Sequence, residues 1–133
     1  MARVRVAHRW IVDLFALLLV VQFFLAGLGA FTTVHNKHFN DNNFGPHSIL
    51  GTVLVVVALV IAVLAAIGRW SPTVTRLSGA LLLLMVLQFV LGVAGANSAP
   101  VLGGLHAVNA VLIVAVVYLL MKGTHHGTKA ATA

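Results

Sequence analysis

The chain has 133 residues, of which 61% are hydrophobic and only 8% charged. A soluble domain carries about 25% charged residues, so the water-soluble classes are excluded, and nucleic-acid binding with them. Cysteine is absent, which removes disulfides, thiolate metal sites, iron–sulfur clusters and cysteine nucleophiles; the only two acids, Asp13 and Asp41, sit in different parts of the chain, away from the pairing that two-carboxylate chemistry needs.

Four apolar stretches follow one another, about Trp10–Val34, His47–Ile67, Leu77–Ala96 and Val101–Met121. Each is long enough to cross a hydrocarbon core of about 30 Å as a helix. Inside lipid the backbone must satisfy its own hydrogen bonds, so these are helices despite the β-branched run Val53–Val57. The first stretch exceeds a signal-peptide core of about 7–15 residues and is followed by further spans, so it reads as a retained helix. Short connections make successive helices antiparallel neighbours. The predicted fold is all-α: a single integral membrane domain over residues 1–133, an up-down four-helix bundle with a tail from residue 122.

The formal charge of +6 is an orientation signal. Arg3, Arg5, Arg9, Arg69, Arg76, Lys122 and Lys129 fall on one side of this topology and only Lys37 on the other. The positive-inside rule then places both termini and the Ile67–Leu77 connection in the cytoplasm of a bacterial-type inner membrane. The segment Val34–Pro46 and the Asn97–Pro100 turn face outward. Trp10 and Trp70 fall near the inner interface, where aromatic belts lie.

Helices one and three share a pattern. Gln22-Phe23-Phe24-Leu25-Ala26-Gly27-Leu28-Gly29-Ala30 aligns with Gln88-Phe89-Val90-Leu91-Gly92-Val93-Ala94-Gly95-Ala96. Each is followed by a helix with a histidine toward its outer end, His47 and His106. The chain therefore reads as two parallel-repeat helical hairpins related by an axis along the membrane normal. Gln22, Ala26 and Gly29 share one helical face, as do Gln88, Gly92 and Gly95. Such a face suits close helix packing with an interhelical Gln hydrogen bond. It equally leaves room for a flat cofactor, or lines a lipid or quinone pocket at Gln22 and Gln88.

His47 has Gly51 at i+4, and His106 has Gly103 at i−3 and Ala110 at i+4. An ionisable side chain inside a span faces the bundle interior. Two imidazoles meeting across the repeat axis, with small residues around them, are what a six-coordinate haem b requires. The competing reading makes His47 an interfacial helix-start residue and His106 a hydrogen-bonding partner of a neighbouring helix. His35 and His38 form H-x-x-H, a spacing that on a helix could hold Zn or Cu; in the polar segment around them a solvated loop, or the mouth of a haem site, is expected. His8, His125 and His126 read as solvated or headgroup-facing. Asp13 is one turn after Arg9, spaced for an ion pair, with a proton-relay role as the alternative. Asn109 would orient His106 or pack against another helix.

The stretch from Pro46 to Met121 resembles one four-helix half of haem A synthase. The resemblance rests on His47 at the outer start of a helix, a basic inner loop, Gln88-Phe89-Val90-Leu91-Gly92, a short outer turn, and Gly104-Leu105-His106-Ala107. It implies haem-iron ligation by His47 and His106; Gly51, Ala110, Gly29, Gly95, Gln22 and Gln88 are the expected cofactor-contacting residues from their placement around that pair and in the repeat. QFFLAGLGAF also looks like small four-helix bacterial membrane proteins. The full haem A synthase has two such halves, a Glu three residues before the first histidine and an Arg after it. Here those positions are Phe44 and Ser48, and the outer-loop cysteines are missing. A catalytic site is therefore not expected. The expected function is a small membrane b-type cytochrome in electron transfer or haem handling, in the lipid bilayer beside a larger respiratory or oxidase-assembly complex or as a homodimer. The alternative is a cofactor-free accessory subunit of such a complex.

Overall fold

A computed structural model describes residues 1–36, 41–97 and 100–129. The chain forms four helices, α1 (Ala2–Asn36), α2 (Gly45–Ile67), α3 (Pro72–Asn97) and α4 (Pro100–Lys129), with one 3₁₀ turn, Asp41–Phe44, leading into α2. Consecutive helices pack as neighbours and α4 closes the ring against α1, so α1–α3 and α2–α4 are the diagonals. This is the all-α up-down bundle of two hairpins. All four helices are long and apolar enough to cross a membrane, and the protein is a multi-pass membrane protein.

Proline opens three of the helices, Pro46 in the first turn of α2, Pro72 in α3 and Pro100 in α4, where a missing N–H costs nothing. At the α2–α3 turn the chain reverses through Arg69, whose φ of 49° is left-handed and costs about 1–2 kcal/mol for a residue with a Cβ. Arg5 offsets this cost from α1. Its guanidinium donates to the Gly68 carbonyl at 3.0 Å and the Arg69 carbonyl at 2.8 Å.

The helices outrun the apolar stretches that define them. α1 begins at Ala2 rather than Trp10, α3 at Pro72 rather than Leu77, and α4 continues to Lys129 rather than ending at Met121. The expected tail from residue 122 is thus helical through Lys129. The hydrocarbon sets the apolar length but does not end a helix, and nothing in Ala2–Arg9 or Lys122–Lys129 is proline. At 35 residues, α1 is about 52 Å long at 1.5 Å per residue.

Each helix contributes one buried stripe. Val12, Phe15 and Leu19 come from α1, Leu54, Ala58, Ile61 and Ala65 from α2, Leu81 and Met85 from α3, and Ile113, Val117 and Leu120 from α4. Steps of three and four residues keep each set on one face. Large apolar side chains such as Leu17, Phe24, Leu83 and Val111 point outward, a surface that lipid rather than water covers. Polar side chains gather at the two ends of this apolar core.

Candidate functional site

The end of the bundle away from the termini brings His47 and His106 together. His47 lies in the first turn of α2 and His106 in the second turn of α4. Their rings meet across the α2–α4 diagonal with centroids 6.2 Å apart and planes inclined at 65°. Both rings are held in the same way. His47 Nδ1 is 3.2 Å from the backbone carbonyl of Gln22 on α1, and His106 Nδ1 is 3.0 Å from the backbone carbonyl of Gln88 on α3. A carbonyl only accepts, so Nδ1 carries the proton in each ring and Nε2 of a neutral imidazole carries the lone pair. The sequence repeat is therefore also a repeat of hydrogen-bond geometry.

The two halves differ one contact further out. The Gln22 side-chain amide donates to the His47 carbonyl at 2.9 Å and stands 3.4 Å from His47 Nε2, while its Oε1 is buried without a partner among the described residues. The Gln88 side chain turns the other way, its Oε1 accepting from Asn109 Nδ2 at 2.7 Å. Asn109 also donates to the Leu84 carbonyl at 2.9 Å. Asn109 thus ties α4 to α3 and acts on the site through Gln88. No hydrogen bond to a described residue involves His106 Nε2.

The small residues divide into two groups. One adjoins a glutamine and one a histidine: a Cβ on Gly51 would lie 3.1 Å from Gln22 Nε2, and one on Gly92 would lie 3.1 Å from His106 Cε1. Gly95 serves another purpose. A Cβ there would come 2.6 Å from the Gly103 nitrogen, so its role is the backbone-to-backbone approach of α3 and α4. At Gly29 a Cβ would sit 2.8 Å from the Asn43 carbonyl and 2.9 Å from the Phe44 ring. Gly29 and Gly95, expected as clearance for a cofactor, are taken up by close packing in this structure. Ala110 is half-buried on the face of His106. Phe44, noted in the sequence only as standing where haem A synthase carries a Glu, meets His47 edge-on at 6.4 Å; an apolar residue directly before Gly-Pro at a helix start was the available signal.

Two of the remaining histidines depart from expectation. His8 is fully buried, not headgroup-facing. Its Nε2 is 3.3 Å from Ser78 Oγ across the α1–α3 diagonal, and its ring packs 5.3 Å from Trp70. His125 is helical and half-exposed rather than a free tail residue, with Nε2 3.0 Å from Asp13 Oδ1. Asp13 thereby gains a partner 112 residues away, beyond the Arg9 that its spacing suggested. His35 is exposed in the last turn of α1, whereas His38, Lys37 and the His126 side chain lie outside the described residues. No group of three or more His, Cys, Asp or Glu side chains able to hold a metal occurs among the described residues.

Fold and site together define a small four-helix membrane protein with a histidine pair at one end of its bundle. The matched family agrees with that span of chain: the protein belongs to DUF6220, a family of unknown function, through residues 22–96. The match begins at Gln22 and takes in His47 and Gln88 but stops short of His106. No curated protein and no solved structure matches the chain.

Proposed function

We propose that the protein is a b-type cytochrome of the membrane, with one haem held between His47 and His106. The observation that carries this reading is the matched, diagonal histidine pair. His47 and His106 would supply the two nitrogen donors that such a haem needs, and their rings are neighbours across the diagonal. The rings stand at 6.2 Å. Each ring also gives its Nδ1–H to a backbone carbonyl, the support that metal-bound histidine favours, with the lone pair on Nε2. The Gln22 amide approaches His47 Nε2 at 3.4 Å, too long for a strong hydrogen bond, and keeps its bond to the His47 carbonyl if Nε2 turns to a metal. The resemblance to one half of haem A synthase, carried by the same two histidines, supports the same assignment.

A haem ligated on both faces supplies a one-electron iron couple. The chain's part is to fix both ring tautomers, to hold the rings apart, and to keep water out with Phe44 and the apolar core below. Electron transfer or haem handling beside a larger respiratory or oxidase-assembly complex follows from this. The concentration of Arg and Lys at the end with the termini supports a cytoplasmic location for both termini in a bacterial-type inner membrane.

The test is the visible spectrum of protein purified after growth with ample haem. Soret and α bands are expected. They should vanish in His106→Ala and survive in His35→Ala, whose side chain is exposed. A colourless native protein with intact helicity counts against the proposal. The close packing at Gly29 and Gly95 favours one other reading, a cofactor-free accessory subunit. Under that reading the same preparation is colourless and co-purifies with a larger membrane complex.

A further inference from the structure

His8 is fully buried in the end of the bundle that carries the termini. Elements from three parts of the chain meet at its ring. It projects from α1, Ser78 Oγ on α3 stands 3.3 Å from its Nε2, and Trp70 of the α2–α3 turn packs its ring 5.3 Å away. Nearly one turn earlier on α1, Arg5 holds the same turn through the Gly68 and Arg69 carbonyls and stands over the Trp70 ring at 5.5 Å. Arg5 and His8 together clasp the start of α1 to the α2–α3 turn.

The clasp accommodates His8 as a neutral ring. A charged imidazole carries a proton on both nitrogens. Nε2 would then have Ser78 Oγ as its acceptor, whereas Nδ1 is buried with no partner among the described residues. An unpaired N–H on a buried cation is costly to hold. The surroundings add no countercharge. Ser78 and Trp70 are neutral, and so is Thr124, the buried polar side chain of α4 at this end. The charged member of the clasp is Arg5, of the same sign as a protonated His8. Arg3, Arg69, Arg76 and Lys122 are exposed, and the Arg9 guanidinium stands over Trp10 at 5.7 Å. Asp13, the acid at this end, is five residues on from His8, about 140° around α1, and accepts from His125 at 3.0 Å.

We propose that His8 makes this end of the bundle an acid-sensitive joint: the neutral ring locks α1 to α3 and to the α2–α3 turn, and protonation releases the start of α1 from both. The released ring takes its second proton from the water on the side of the termini, and the Arg5 bonds to Gly68 and Arg69 part with it. The Asp13–His125 pair responds in the opposite sense, because a protonated His125 holds Asp13 by a charge-assisted bond. The sign of the acid response therefore separates the two.

The test is hydrogen–deuterium exchange of the full-length chain in mild detergent, read at residues 2–9 and corrected for the intrinsic pH dependence of amide exchange. Opening that binds one proton at an exposed imidazole, with its ordinary pKa of about 6.5, makes the opening constant about tenfold larger at pH 5.5 than at pH 7.5. His8→Phe keeps a ring in the site but cannot titrate, and should remove that rise. His8→Gln should remove it as well. His125→Gln should leave it in place. An opening constant of the native chain that is the same at both pH values overturns the proposal, whether or not any variant folds. So does a rise of native size in His8→Phe, or a rise that His125→Gln abolishes.

Discussion

The two ends of the bundle each bury histidine and treat it differently. At the end away from the termini, His47 and His106 occupy matching places in a repeat, and each gives Nδ1 to a backbone carbonyl of the preceding helix. At the other end His8 has no counterpart in the repeat, where Val74 stands at the matching position. His8 spans the opposite diagonal to Ser78, leaves its Nδ1 without a partner among the described residues, and packs against a Trp70 that Arg5 covers at 5.5 Å. Phe15, Leu19, Leu54, Ile61, Leu81, Met85 and Ile113 fill the space between, so the two clusters are separated by an apolar layer. The comparison teaches that buried histidines can serve different ends. The proposed ligand role rests on pairing and a fixed tautomer, which His47 and His106 have and His8 lacks. His8 is built as a joint between α1, α3 and the α2–α3 turn.

Substitutions can break or sharpen that contrast. The largest effect is expected at the pair: His47→Ala or His106→Ala should remove haem absorbance entirely, whereas His8→Ala should retain the full spectrum. Next comes Gly95→Ala, whose Cβ would meet the α4 backbone at 2.6 Å. Overpacking of this kind costs about 1–3 kcal/mol and should lower the thermal midpoint in detergent. Gly103→Ala on the facing helix meets nothing within 4 Å and should be neutral or slightly stabilising. His8→Ala should then cost about 1–3 kcal/mol through the void it leaves, with its melting transition shifted and its colour unchanged. The smallest effect is expected for Asp13→Asn. Its partner His125 has a 44% exposed side chain, so the loss should stay below about 1 kcal/mol. A Gly103→Ala as damaging as Gly95→Ala would show that the α3–α4 approach is misplaced.

Much of this architecture was legible because lipid leaves the chain few options. Four apolar runs of spanning length can only be helices, and their short connections make them an up-down ring. The Gln22/Gln88 repeat located both histidines. Helix ends were not legible, since a headgroup region tolerates helix as readily as coil, and Arg and Lys are good helix formers. The burial of His8 had a signal that its basic neighbours obscured. His8, Val12, Phe15 and Leu19 are spaced by four, three and four residues, the same stripe that forms the α1 core. Thr124 continues the stripe of Ile113, Val117 and Leu120 in the same way and is also fully buried. The Asp13–His125 pair had no such signal, because it depends on how α1 and α4 dock, at a sequence separation of 112. The purposes of Gly29 and Gly95 were equally hidden. A small residue in a membrane helix announces close approach, and only the docked structure says what approaches.

The histidine pair is the centre of this account, and one measurement addresses it directly: the haem content and reduced-minus-oxidised spectrum of the native chain beside His47→Ala and His106→Ala. The account predicts one haem per chain with a sharp α band, lost in either variant while helicity is kept. A native protein without haem, or a spectrum that survives both substitutions, would contradict it.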